Sequence, residues 1–168
     1  MKKSKAPARV AIVMGSESDR TVMDHAAEVL KKFKVPFTIS VISAHRTPRE
    51  VAKFAQAARG SGISIIIAGA GGAAHLPGMI AAYTELPVIG VPVPIGPLHG
   101  QDALLSIVQM PKGIPVATVA IGNAWNAGIL AAQILGAGGA EEDGKLLNRI
   151  AEYKEEMRTK VLKASKKC

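Results

Sequence analysis

The amino-acid sequence predicts a single α/β domain, a parallel sheet between layers of helix, and three observations carry that prediction. Short β-branched runs recur along the chain, helical patterns fall between or after them, and the first four runs are each followed by a loop of small, polar or ring-constrained residues. Alternating strands and helices imply right-handed βαβ crossovers, which lay the strands parallel and put helices over the sheet. With 168 residues, 48% of them apolar, the chain is long enough to bury a core without disulfides or metals.

Taken in order, strands are expected at Val10 to Met14, Thr38 to Ile42, Ile63 to Ala68, Val88 to Val93 and Val116 to Ile121, all reading as buried. Helices are expected at Thr21 to Phe33, Pro48 to Ala58, Leu76 to Tyr83, Asp102 to Val108 and Ala124 to Leu135. Farther on, Leu146, Leu147, Ile150, Tyr153, Met157 and Val161 recur every three or four residues, so 141–165 should be an amphipathic C-terminal helix. The expected division is one domain over 1–168, with an α/β core at about 8–136 and frayed ends. Five strands so arranged favour a flavodoxin-like three-layer αβα sandwich, whose ligands bind at the carboxyl ends of the strands near a topological switch point.

Charge and composition narrow the function classes. The formal net charge is +8, but lysines crowd the ends, at Lys2, Lys3, Lys5, Lys160, Lys163, Lys166 and Lys167, and the few aromatic residues are not interleaved with them. That pattern suits solvated tails rather than a nucleic-acid surface. Ala11 to Met14 is too short for a signal-peptide core, and glycine or proline interrupts every apolar stretch before membrane-spanning length, so no membrane is expected. The only cysteine is Cys168, which leaves no disulfide framework and suits a reducing cytoplasm. Between Gly60 and Ala140 the only charged residues are Glu85, Asp102 and Lys112, and the expected helix from Ala124 is apolar nearly all round. Both features point to subunit packing in a homo-oligomer.

Parallel topology brings the loops after successive strands to one rim of the sheet, and three of the four histidines gather in them. In the first, Gly15 allows a tight turn, Ser16 and Ser18 offer hydroxyls to a phosphate, and Asp19 is better suited to ribose hydroxyls. Simple helix capping by Ser18 or Asp19 fits the same residues. In the second, Ser43-Ala44-His45-Arg46-Thr47-Pro48, Arg46 can grip phosphate through parallel N–H groups with Ser43 beside it, and Pro48 can open a helix. The neighbouring cation should discourage His45 from holding a proton and leave it available as a base. A surface histidine beside a salt-bridging arginine is the plain alternative.

The third loop contains Gly69, Gly71 and Gly72, where missing side chains let backbone approach a ligand and take positive φ. Ala74 stands where the last glycine of a dinucleotide fingerprint would fall, which disfavours a nicotinamide site. This backbone could instead cradle a small carboxylate, with His75 lining the pocket or bonding to backbone. Asp102, farther along, reads as a helix cap. Sequence signatures for zinc hydrolysis, serine esterase chemistry and P-loop phosphoryl transfer are missing from the chain.

Four segments in order, MGSESD (Met14 to Asp19), SAHRTP (Ser43 to Pro48), AGAGGAAHLPGM (Ala68 to Met79) and SIVQMPKGIPVAT (Ser106 to Thr118), resemble the N5-carboxyaminoimidazole ribonucleotide mutases of purine biosynthesis. The resemblance runs from about Val10 to Leu135. It implies a flavodoxin-like subunit of an octamer that moves a carboxylate from the exocyclic nitrogen of a ribonucleotide to ring carbon C4, with no metal, ATP or organic cofactor. His45 matches the general acid/base, and Ser16, Asp19 and Arg46 match substrate-binding positions. Ser18, Ser43, Ala70, Gly71, His75 and Leu76 are expected close by. Related carboxylases that use CO₂ directly have loops resembling SAHKT and AGRSNALSG, so the loops here favour the mutase. Arg20, where that family usually has Trp, and the 94–100 segment, which lacks its usual Gln-Ser, depart from the pattern.

Overall fold

The computed structural model describes residues 9–138, together with isolated positions between 145 and 163. Five parallel strands, β1 (Val10–Met14), β2 (Phe37–Val41), β3 (Ile65–Gly71), β4 (Val88–Val93) and β5 (Ala117–Thr118), form one sheet in the order β2-β1-β3-β4-β5. Helices α1 (Arg20–Lys32), α2 (Pro48–Ala58), α3 (Leu76–Tyr83), α4 (Gln101–Val108) and α5 (Ala124–Ala137) connect or follow them. This is the flavodoxin-like order, with its switch point between β1 and β3.

Two apolar layers flank the sheet. On one face Ile12, Met14, Ile65, Ile67 and Ile89 pack against α1 and α5, joined through Leu30, Ala127 and Ala131. On the other, Val13, Ile66 and Ala68 meet α2, α3 and α4 through Val51, Ala55, Ile80 and Ile107. Alternate residues of β1 serve opposite faces, so the whole strand is buried, and fully burying one such aliphatic side chain contributes about 1.5–3 kcal/mol.

The expectation of five buried strands fails at the sheet edges. β2 is only partly buried and β5 is two residues long and partly exposed, because each has a single neighbouring strand. A specific cause shortens β5. The carbonyls of Gly90 and Pro92 accept from Val119 and Gly122, so this side of β4 faces β5, but proline has no N–H to return. The ladder therefore ends at Gly90↔Thr118.

Strand β3 runs on through Gly71, three residues past its expected end, and this changes the reading of the glycines. Of the three, only Gly72 takes a positive φ. A Cβ on Gly69 would lie 2.1 Å from Sδ of the buried Met23, so the missing side chain there makes room for α1. Gly69→Ala is expected to lower stability by about 1–3 kcal/mol through overpacking, read from the midpoint of urea unfolding. In the 141–165 segment the described positions, among them Lys145, Arg149, Glu152 and Lys163, are helical. The apolar residues that predicted its amphipathic face, and both chain ends, lie outside the described residues.

Candidate active site

Strand register builds the site. Met14 pairs with Val41 on one side and Gly69 on the other, so β1 and β2 end level, β3 runs two residues farther, and their loops leave the same end of the sheet. Backbone bonds continue one step farther, from Gly15 N–H to the Gly69 carbonyl and from Ile42 N–H to the Met14 carbonyl. Around this rim opens a cavity of about 420 Å³.

All ten residues expected at the site line it: Ser16, Ser18 and Asp19 after β1; Ser43, His45 and Arg46 after β2; Ala70, Gly71, His75 and Leu76 from the end of β3 to the start of α3. Gly15, Ala44, Ala73 and Ile95 complete the wall. Ile95 was missed as a site residue, although it follows β4 and so had to emerge on this rim. His99 sits in the same loop, with φ of 48°, and does not line the cavity. A larger cavity, about 670 Å³, lies beside the loops that precede β4 and β5, but its only ionisable side chains are Glu85 and Tyr83. The polar and basic groups converge on the smaller one.

In the first loop, capping and site geometry coexist. Ser16, rather than Ser18 or Asp19, caps the short 3-10 turn Glu17–Asp19: its hydroxyl accepts from the Ser18 N–H while its own N–H donates to Asp19 Oδ2 at 3.0 Å. The Ser18 hydroxyl lies 2.9 Å from the Ser16 hydroxyl. Asp19 is buried at the cavity wall, and that burial pushes its carboxyl above the ordinary value of 3.8, against hydrogen bonds from Ser16, Ser18 and Gly15 and the positive charge of Arg46. A raised native value means that the folded protein holds this proton more tightly than the unfolded chain. The stabilisation is therefore complete below 3.8 and is lost as pH rises through the folded value. Relative to Asp19→Asn, which does not titrate, the wild-type protein should lose stability over that rise, measured by unfolding at a series of pH values.

The second loop closes on itself before α2 begins. Thr47 donates through both N–H and hydroxyl to the Ser43 carbonyl, and its hydroxyl accepts from the Ser43 N–H. Pro48 then opens the helix as expected. Arg46 forms no salt bridge among the described residues; its Nη2 donates to the Gly15 carbonyl at 2.9 Å and its Nε to the Ser43 hydroxyl at 3.1 Å. Ser43 Oγ also accepts from the Arg46 N–H, which leaves the hydroxyl hydrogen free to donate. One guanidinium and the serine hydroxyls thus share a wall of the cavity.

His45 Nε2 lies 2.8 Å from His75 Nδ1, with the rings edge to face. His75 therefore bonds across the cavity rim to another imidazole, rather than to backbone, from its place as the residue before α3. One of the two nitrogens must carry a proton and the other must not. One departure from the family pattern and one expected helix cap also find their places. Arg20 pairs with Glu17 and Asp24 and is not in the cavity wall. Asp102 does not cap α4, whose preceding residue is Gly100 with φ of 90°; its carboxylate accepts from the adjacent Ala103 N–H. Among the described residues no three His, Cys, Asp or Glu side chains are grouped to hold a metal ion, and no helix is long and apolar enough to cross a membrane.

Comparison with known proteins gives a consistent picture. The family described as AIR carboxylase matches residues 9–160. A Thermotoga maritima protein named N5-carboxyaminoimidazole ribonucleotide mutase is 55% identical over 159 residues, spanning 95% of this chain and 91% of its own. A Candida albicans phosphoribosylaminoimidazole carboxylase is 56% identical over 153 residues, covering 91% of this chain but 26% of the longer relative. The crystal structure of Treponema denticola PurE superposes with a TM-score of 0.83 at 28% identity, covering 94% of this chain and 96% of that one. With strand order, loop motifs and relatives in agreement, the chain belongs to the AIR carboxylase family.

Proposed function

We propose that the chain moves the carboxylate of N5-carboxyaminoimidazole ribonucleotide from the exocyclic nitrogen to ring carbon C4, giving 4-carboxy-5-aminoimidazole ribonucleotide. The observation that carries this is the imidazole pair, His45 and His75, in one cavity with the Arg46 guanidinium and the Ser43 hydroxyl. The names of the relatives support the same substrate.

The chemistry needs little else. When the nitrogen–carboxylate bond breaks, its electron pair stays on nitrogen, which takes a proton. When C4 attacks the released CO₂ carbon, the new carbon–carbon bond forms and C4 gives up its proton. One proton goes in and one comes out, with no change of oxidation state, so a single residue that donates and then accepts is sufficient. His45 is that residue, and its bond to His75 fixes how the ring is presented. Arg46 and the hydroxyls of Ser16 and Ser43 bind the phosphate. Asp19, which would repel phosphate, takes ribose hydroxyls, and the Ala70-Gly71 backbone, Ser18 and Leu76 shape the remaining wall. The reaction consumes no ATP and takes place in the cytoplasm.

Incubating the purified protein with N5-carboxyaminoimidazole ribonucleotide, without ATP, should give the C4-carboxylated isomer by carbon-13 NMR; no isomer would sink the assignment. The name of the Candida relative favours a second reading, direct carboxylation of aminoimidazole ribonucleotide. Under that reading the rate with aminoimidazole ribonucleotide climbs with added CO₂ and outruns turnover of the N5-carboxylated compound. Assembly as a homo-octamer is part of the proposal, supported by Leu98, Leu105 and Val108, which stand exposed on the 94–100 loop and α4.

A further inference from the structure

His45 and His75 are exposed side chains that reach each other from different loops, and their geometry offers more than a hydrogen bond. His45 comes from the loop after β2, which the Thr47–Ser43 bonds close, and His75 stands immediately before α3, its carbonyl taken by the Met79 N–H. The backbone under each ring is thus held, while the rings at the rim keep their rotations. Nε2 of His45 faces Nδ1 of His75 at 2.8 Å, with ring centroids 4.9 Å apart and planes at 89°. Two nitrogens of the kind that ligate transition metals converge on one point.

A tetrahedral zinc ion holds imidazole nitrogens at about 2.0–2.1 Å, which sets two of them roughly 3.3 Å from each other. To admit it the pair opens by about half an ångström, a tilt that exposed rings make without moving backbone. The neighbouring groups decide which ion fits and how many ligands it finds. Imidazole suits zinc, copper and nickel, whereas magnesium and calcium take oxygen. Asp19, the only carboxylate among the described residues of the cavity wall, accepts from the Ser16 N–H and is not grouped with the imidazoles in a three-ligand set. Arg46, the opposing charge, is turned onto the Gly15 carbonyl and the Ser43 hydroxyl. The protein therefore supplies two ligands, and the cavity leaves the other positions to water.

We propose that the His45–His75 pair is a reversible inhibitory site for a divalent transition-metal ion, zinc being the best fit. The ion takes the two ring lone pairs that face each other, and each neutral imidazole keeps its one proton on the nitrogen turned away. With Nε2 occupied and the ring tied to His75, His45 cannot carry the protons of the transfer. The site rests on geometry; its effect on turnover rests on the carboxylate-transfer reading above.

The test is equilibrium dialysis against zinc chloride in a non-chelating buffer, using the full chain without a histidine tag and with Cys168→Ser, so that the terminal thiol takes no metal. One ion should bind per chain at micromolar free zinc, and magnesium should not compete. His45→Asn and His75→Ala should each weaken binding several-fold, while His25→Ala and His99→Asn, which alter the other two histidines, should leave it unchanged. Cobalt(II) should give the starting protein a visible absorption band that zinc erases, a readout that depends on no histidine variant folding. Zinc should also slow isomerisation in proportion to occupancy, and a chelator should restore it. Absence of bound zinc, equal binding of magnesium, or binding that survives both His45→Asn and His75→Ala overturns the site. Occupancy without loss of turnover overturns the inhibitory role. A chain that binds zinc through the pair yet fails to isomerise the substrate without zinc removes the mutase assignment and the inhibitory role together, and leaves the metal site standing.

Discussion

His45→Asn is expected to abolish turnover, with kcat reduced by about 10²–10⁴-fold or more, while substrate affinity changes only a few-fold. An asparagine amide stops short of the Nε2 position and loses the bond to His75, but the Thr47–Ser43 bonds that close the loop do not involve this side chain, so loop geometry should survive. It cannot exchange a proton near neutral pH. The proposed reaction requires a proton to be delivered to nitrogen and another to be removed from carbon, and the variant blocks both. Steady-state kinetics at saturating substrate, paired with calorimetric titration of the variant, separate the two quantities. Wild-type turnover by His45→Asn would refute its catalytic role.

Arg46→Ala should act on binding. Its guanidinium contacts two loops, Gly15 in one and Ser43 in the other, so the substitution removes a charge from the cavity and also a tie between its walls. Hydrogen bonds to charged groups contribute about 1.5–3 kcal/mol each, which predicts substrate binding weakened about 10- to 150-fold. Arg46→Lys should recover only part of this, because an ammonium supplies charge without the planar fork. Measured dissociation constants for the three proteins provide the check. If Arg46→Ala lowered kcat and left affinity intact, the residue would have to be placed in the chemistry instead.

Much of the fold was legible in the sequence because the interior strands are buried on both faces and carry unbroken apolar runs. β1, β4, α2 and α3 fall at their expected limits. The edges were not legible, since a run such as Val116 to Ile121 has strand composition whether or not its neighbour can complete the ladder, and Pro92 is remote in sequence from the strand it cuts short. At the site, topology predicted that the loops share one rim, the family resemblance named the residues, and all ten of them line one cavity. What sequence could not convey was partnership. Nothing in either loop shows that His45 and His75 meet or that Arg46 reaches the Gly15 carbonyl, because each depends on register among β1, β2 and β3. Glycines in β3 misled for a related reason: the residue that needs Gly69 to be bare is Met23, on another element.

The proline in β4 has one more consequence, for life in a crowded solution. A sheet edge with a full row of free donors and acceptors templates the strand of any chain that collides with it, and nearly half of this chain is apolar. Here the outer strand is a two-residue stub, and in the strand behind it the Pro92 carbonyl is already taken by the Gly122 N–H and the proline has no N–H to offer. An incoming strand would find neither length nor complementary bonds on that side. The same residue that cuts the ladder short thus makes this edge a poor seed for intermolecular β-structure, leaving association to side-chain surfaces that can be specific.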